Sequence, residues 1–320
     1  HSTQGDGQLL SRVLYPQAAQ IHYVVINKRD MAILSCAGLK SERLHYLPNC
    51  IASNVTVNTI PSYPKEPSNA ERPLFLYPTR AIERKNIGEL LLWAAIEKDR
   101  AQFGITRAPM NEEQHKLYES WKKCAQQYQL PLHFEMGQQA SFMSLAKQST
   151  AFITTSVAEG FGLCYLEPWL WNRPLVGRRL PKITEGISDA GLSLDHLYDK
   201  LLVPLKWIGK KQLYEKIREN LTASRRAYGQ KCNKSCVDRA FSAATSGKAV
   251  DFGRLDSTSQ KKVIQLCAEN PQVRKQVKPC SILDLSCDLS DNKKIVQEKF
   301  SMSSYSKSIA AVVKKLLSSQ

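Results

Sequence analysis

Between Leu74 and Gly177, short runs of β-branched and aromatic residues alternate with stretches of helical spacing, and no other feature restricts the fold as much. Leu74–Tyr77, Leu132–Glu135, Ala151–Thr154 and Pro174–Gly177 read as strands. Ile87–Ile96, Lys116–Tyr128 and Phe142–Lys147 read as helices, and Gly162 opens a further helix running to about Trp171. Strands separated by helices do not pair as hairpins; they pair in parallel through right-handed crossovers. The predicted fold is α/β, a doubly wound parallel sheet. Such sheets take ligands beyond the carboxyl ends of their strands, in the crevice where strand order reverses.

The flanks are less regular. Ile21–Ile26 suits a buried strand, Lys28–Ala37 a short helix closed by Gly38, and Leu44–Leu47 a second strand ending at Pro48-Asn49. Thr56–Pro73 holds four prolines and little periodicity, a linker composition. Past Pro181 the pattern loosens. Leu213, Ile217 and Leu221 form a core-facing stripe on a charged helix, and Gly247–Asn292 is helical and polar by composition. Ile309, Val312, Val313 and Leu316 give the last helix one apolar face. With 42% hydrophobic residues, the 320-residue chain can bury two cores. The expected division is a partial Rossmann-like unit at 1–60, a linker at 61–72, a ligand-binding domain at 73–228 and a helical extension at 229–320. The final helix of that extension is expected to pack back on the N-terminal part.

No stretch has the roughly 18 uninterrupted apolar residues of a spanning helix. The chain opens His1-Ser2-Thr3-Gln4, without an initiator Met or the basic and apolar segments of a signal peptide. A cytoplasmic location and a missing true N-terminus are therefore expected. Forty-five Lys and Arg against 29 Asp and Glu leave a net charge of +16, which favours anionic partners. About half of that excess lies between Val203 and Val250, where eleven basic residues face three acidic ones. Neither interleaved aromatics nor a known module accompanies them, so nucleic acid is not an expected partner. A solvated helix face accounts for the charge, and a peripheral contact with an anionic membrane is compatible with it. Nine cysteines lack framework spacing, and Cys232 and Cys236 have no second pair or nearby His to complete a zinc site. Free thiols are expected, and the sequons at Asn54, Asn220 and Asn233 carry no weight without secretion.

Two stretches look chemical. In Thr155–Glu167 a strand ends, Glu159 follows, Gly160 and Gly162 flank Phe161, and a helix begins. Glycines permit close backbone approach, and a helix start offers unpaired N–H groups to an anion. Glu159 at the loop and Glu167 one turn into the helix can face one pocket, where carboxylates accept hydrogen bonds from paired hydroxyls. The second stretch, Pro78–Asn86, carries Arg80 and Lys85 beyond the first strand of the same sheet. If both loops face one crevice, two cations and a helix N-terminus can neutralise a diphosphate.

Together these residues resemble the retaining nucleotide-sugar glycosyltransferases of glycosyltransferase family 4, whose fold is the two-domain GT-B. Arg80 and Lys85 match the family's Arg and the Lys five residues later, with Pro78-Thr79 in place of the usual Gly. Glu159 and Glu167 match its E-x7-E element, including the Glu-Gly-Phe-Gly core. Pro174–Gly177 looks like the strand that follows, and Leu47–Ile51 like the segment closing the first domain, with Cys50 replacing Gly. The match is tight from Leu74 to Gly177, recognisable from about Ile21 and weak beyond Ile183.

The resemblance implies a hexosyltransferase that moves a sugar from a nucleotide-diphosphate donor to an unknown acceptor with retention. Arg80 and Lys85 would hold the diphosphate and stabilise its charge as the glycosidic bond breaks. Glu159 would contact hydroxyls of the sugar, completing the catalytic set. Glu167 would bind the ribose, and the backbone of Gly160, Phe161, Gly162 and Leu163 would approach sugar and phosphate. No metal and no resident cofactor are implied. Only about 60 residues precede the linker, roughly the last third of a complete first domain. The chain is then either a fragment or a protein without its acceptor half, and the latter would be a non-catalytic nucleotide-sugar- or polyanion-binding remnant. His1, His22 and His45 receive no catalytic role; His22 and His45 sit in strands and read as packed core.

Overall fold

The computed structural model describes residues 15–16, 18, 20–51, 72–227, 229–285 and 289–317. The predicted linker up to residue 71, the sequon at Asn54 and His1 lie outside the described residues.

The N-terminal part is a parallel pair, β1 (Tyr23–Val25) and β2 (Leu44–Tyr46), joined by α1 (Lys28–Cys36). Asn27 caps α1 by accepting from the Asp30 amide. The central sheet has five parallel strands: β3 (Leu74–Arg80), β4 (Gln102–Arg107), β5 (Leu132–His133), β6 (Ala151–Thr154) and β7 (Leu175–Gly177). Their order is β5-β4-β3-β6-β7. The chain winds outward from β3 in one direction, then returns to its other side, so the order reverses between β3 and β6. Between the strands run α2 (Ile87–Ile96), α3 (Glu112–Gln127), α4 (Met136–Gln139), α5 (Phe142–Gln148) and α6 (Glu167–Leu170).

Side-chain alternation explains why the strands are unbroken apolar runs. Phe75, Tyr77, Ile153 and Val176 enter a core with α2 and α3, whereas Leu76, Phe152 and Leu175 enter the opposite core with α5 and α6. Both faces of a parallel sheet are covered, so neither can be polar. Every residue of α2 is buried, because the later helix Ser257–Glu269 packs on it from outside.

Beyond β7 come α7 (Pro181–Asp189), β8 (Leu202–Pro204), α8 (Lys210–Ala227), α9 (Lys234–Ala244), β9 (Thr245–Ser246) and β10 (Ala249–Asp251). The chain then forms α10 (Ser257–Glu269), α11 (Pro271–Arg274), α12 (Leu289–Lys299) and α13 (Met302–Leu317). Strands β8, β10 and β9 make a small antiparallel sheet, and β9 and β10 lie in the extension expected to be helical. Its strands are two or three residues long, too short to show a period. Val250, Val263, Ile264 and Cys267 join the core of α2 and α3, so packing continues across residue 229. Ile51 donates its amide to the Phe300 carbonyl (2.8 Å), which brings the start of α13 to the N-terminal part. On α13, Ile309 and Val313 are exposed, so its predicted apolar face is only partly covered.

Three further expectations change. Strand β4 was not foreseen: its run is interrupted by Gly104, where a Cβ would lie 2.2 Å from Met136 Sδ of α4. Helix α3 starts at Glu112 rather than Lys116, because Asn111 accepts from the Glu113 amide (2.8 Å). The expected helix from Gly162 is broken into a 3₁₀ turn, Leu163–Tyr165, and α6. Pro168 has no N–H to continue a hydrogen-bonded ladder, so the helix restarts at Glu167.

One buried network ties these parts together. The Arg178 guanidinium donates to Glu89 Oε2 (2.6 Å) and Asp251 Oδ1 (2.7 Å), while Tyr198 donates to Glu89 Oε1 (2.8 Å) and Trp93 Nε1 donates to Tyr198 (2.7 Å). Arg178 is 3% exposed and Glu89 not at all, so α2, the end of β7 and β10 share one sequestered charge cluster. Removing the cation leaves two carboxylates buried without it. Arg178→Met should therefore lower stability by about 3–5 kcal/mol in denaturant unfolding; a loss below about 1 kcal/mol would mean that the cluster relaxes or hydrates instead.

Candidate active site

The loop after β3 and the loop after β6 lie side by side where strand order reverses. Their backbones are stitched together: Val157 donates to the Arg84 carbonyl (2.9 Å), and Thr155 Oγ1 to the Lys85 carbonyl (2.9 Å). Tyr77, rising from the core face of β3, shares a hydrogen bond with Ser156 (2.7 Å) and donates to the Lys85 carbonyl (3.3 Å). Asn86 ends the first loop in a left-handed conformation (φ 50°) that asparagine tolerates. It donates to Glu89 (2.8 Å) and accepts from Gln260 (2.9 Å), which fixes where the loop turns into α2.

Glu159 sits at the centre of this junction, 8% exposed. The Lys85 ammonium contacts its Oε1, Arg84 donates to its Oε2 (2.7 Å), and Ser156 donates to Oε1 (2.6 Å). Burial alone would raise its pKa; Lys85, Ser156 and Arg84 overcome that and hold the carboxyl below its ordinary range. Burial pushes the neighbouring Cys164 thiol up to about 12, so it stays protonated near neutral pH.

Beside the junction opens a cavity of about 740 Å³. Arg80, Arg84 and Lys85 line it from the β3 side, Thr106 and Arg107 from the end of β4, Gly137 and Phe142 from the α4–α5 segment, and Glu167 from α6. Four cations and one carboxylate therefore meet in one hollow. No ion pair engages Arg80 or Arg107 among the described residues. Glu167 has no hydrogen-bond partner there either; burial raises its carboxyl pKa and nearby Lys85 only partly opposes this.

The structure thus brings together Arg80, Lys85 and Glu167 on one cavity, with Glu159 directly behind Lys85. The rest of the glycine segment divides. Phe161 is buried against Phe300, ring centroids 6.2 Å apart, and belongs to the core. Gly162 adopts φ 91°, and a Cβ there would lie 2.7 Å from the Tyr165 ring, so its glycine is needed for the turn itself. Gly160 and Leu163 are exposed, and the Gly160 carbonyl accepts from Asn27 Nδ2 (2.8 Å), which joins the N-terminal part to this loop. Arg84, Thr106, Arg107, Gly137 and Phe142 were missed. Arg84 lies inside the stretch already singled out; Thr106 and Arg107 went unseen with β4, although the alternation Phe103-x-Ile105 marks a strand. Among the described residues, no group of three or more His, Cys, Asp or Glu side chains is placed to hold a metal ion, and no helix is long and apolar enough to cross a membrane.

No family profile matches the chain. Mannosylglucosyl-3-phosphoglycerate synthase of Petrotoga mobilis is 28% identical over 261 residues, covering 73% of this chain and 50% of that enzyme. The chain therefore spans about half the length of the curated relative it matches. Among solved structures, sucrose-phosphate synthase of Thermosynechococcus elongatus gives a TM-score of 0.52 at 14% identity, covering 100% of this chain and 64% of that one. A glycosyltransferase from Rickettsia africae gives 0.51 at 12% identity, covering 97% and 66%. At these identities the likeness is one of fold: a parallel α/β sheet with a helical C-terminal segment, in the arrangement of GT-B glycosyltransferases.

Proposed function

We propose that the chain is the donor-binding part of a retaining hexosyltransferase related to glycosyltransferase family 4. Residues 73–228 form the nucleotide-sugar-binding domain in this reading, and 1–60 a partial acceptor-side domain joined by the linker 61–72. Residues 229–320 brace both. One observation carries it: Arg80, Arg107 and Glu167, none of them in an ion pair among the described residues, line a single cavity beside the point where strand order reverses. Cations there suit a diphosphate, and a carboxylate with no hydrogen-bond partner among the described residues suits paired hydroxyls. The 28% identity to a mannosylglucosyl-3-phosphoglycerate synthase supports the same class.

Arg80 and Lys85 would neutralise the charge that builds on the leaving diphosphate, the electrostatic work that dominates such transfers. An ammonium has three donors, so Lys85 can keep its contact with Glu159 while donating to a phosphate oxygen. Glu159 then orients Lys85 and offers its remaining acceptor capacity to sugar hydroxyls. Glu167 would accept from the ribose. Retention would proceed through a short-lived ion pair at the sugar carbon, without a bound metal. The acceptor is unassigned.

Two measurements check this. A panel of nucleoside diphosphates and their sugars should contain one that stabilises the chain by about 2.7 kcal/mol at a hundred times its Kd. Arg80→Ala should weaken that ligand roughly 10- to 100-fold, the worth of a charged hydrogen bond. Glu167→Ala should weaken the nucleotide but leave pyrophosphate binding unchanged; wild-type affinity in both variants would refute the assignment.

The second concerns pH. The folded pKa of Glu159 lies below its ordinary value of 4.5. Its ionised form therefore stabilises the fold above about pH 4.5, and that contribution disappears as pH falls through the lowered value. Glu159→Gln should cost roughly 1–3 kcal/mol at pH 7, and the gap from wild type should narrow progressively as pH falls below 4.5. A gap that stays constant down to acid pH would contradict the ion pair.

A further inference from the structure

A second hollow lies apart from the donor cavity and shares no lining residue with it. It measures about 710 Å³ and is floored by Leu202, Pro204 and Leu205 around β8, with Phe241 of α9 and Ala249 of β10. Lys206, Lys210, Lys248 and Lys278 stand around it, all exposed. None of the four has a carboxylate partner among the described residues; Lys278 reaches only Cys280 Sγ, at 3.7 Å.

Three of these lysines come from the basic stretch Val203–Val250. The fourth is far off in sequence and is brought in by a backbone bridge between Leu202 and Lys278. The fold thus gathers cations beyond what composition alone would place there. Lys210 and Lys211 also open α8, whose first turn holds no acidic residue. The positive end of a helix normally attracts carboxylates and repels ammonium groups. Four ammonium groups around one hollow and a helix N-terminus disfavour one another, and no described carboxylate stands within ion-pairing distance of the four lysines. The floor is apolar, which does not suit a free sugar phosphate. It does not suit a nucleic-acid backbone either, since a single half-buried ring, Phe241, offers little for bases to stack on.

We infer that this groove docks on an anionic bilayer leaflet, taking the phosphate headgroup of an acidic glycerophospholipid between the lysines and its first acyl carbons on the apolar floor. Each lysine beside such a surface is worth about a fivefold change in partitioning.

The test is co-sedimentation of the full chain with phosphatidylcholine vesicles, with and without phosphatidylglycerol as the minority lipid. The acidic vesicles should bind at least about tenfold better, and the advantage should fade in high salt. Lys206→Gln/Lys248→Gln/Lys278→Gln should lower binding about a hundredfold. Lys123→Gln/Lys262→Gln/Lys294→Gln removes the same charge from exposed positions elsewhere and should change binding little. Unchanged melting temperatures would establish that both variants fold, and titration with the nucleoside diphosphate that stabilises the chain most would show that the donor cavity is untouched. Equal binding to neutral and acidic vesicles, or equal losses in the two triple variants, would overturn the inference. So would displacement from vesicles by glycerol phosphate, which would assign the groove to a soluble phosphate. Single-stranded RNA that binds at least as tightly as the vesicles, and is weakened by the first variant alone, would assign it to a nucleic acid.

Discussion

The carboxylate of Glu159 is the point on which the candidate site turns. It is almost fully buried, and burying a charge is costly unless partners compensate. Lys85, Arg84 and Ser156 supply that compensation from two loops that are 70 residues or more apart in sequence. Because each partner needs the others, the loop after β3 and the loop after β6 cannot drift independently. The cavity beside them inherits this rigidity, and two of the cations that line it, Arg84 and Lys85, are held before any ligand arrives. Preorganised charge of this kind does not have to be assembled at the moment of reaction.

Much of this arrangement was legible in the sequence. Apolar runs alternating with helical stretches required a parallel sheet covered on both faces, and the observed β3, β6 and β7 fall where those runs do. What escaped detection has physical causes. Gly104 weakens the strand signal of β4 because a helix packs onto the backbone at that point, an interaction invisible in the local sequence. Pro168 splits a helix whose spacing otherwise looks continuous. The small sheet of β8, β9 and β10 is made by strands too short to display a period, held in place by Arg178 and Asp251 from within the fold.

The site divides in the same way. Residue chemistry and loop position pointed to Arg80, Lys85 and Glu167, and these meet in one cavity. The glycine-rich segment carried a mixed message: Gly162 serves the turn and Phe161 the core, so part of an informative motif is structural. Arg107 could not be anticipated without β4, since only the strand brings it beside Arg80. The basic groove at β8 shows the converse, because Lys278 joins three other lysines through a pairing that spacing does not encode.

Hydrogen exchange offers the most direct measurement of the central claim, that two loops and the end of β4 form one ligand site. With the nucleoside diphosphate that stabilises the chain most, amide protection should rise together in residues 79–86, 106–107 and 159–167. Protection confined to one of these segments, or appearing on the opposite edge of the sheet, would contradict a shared site.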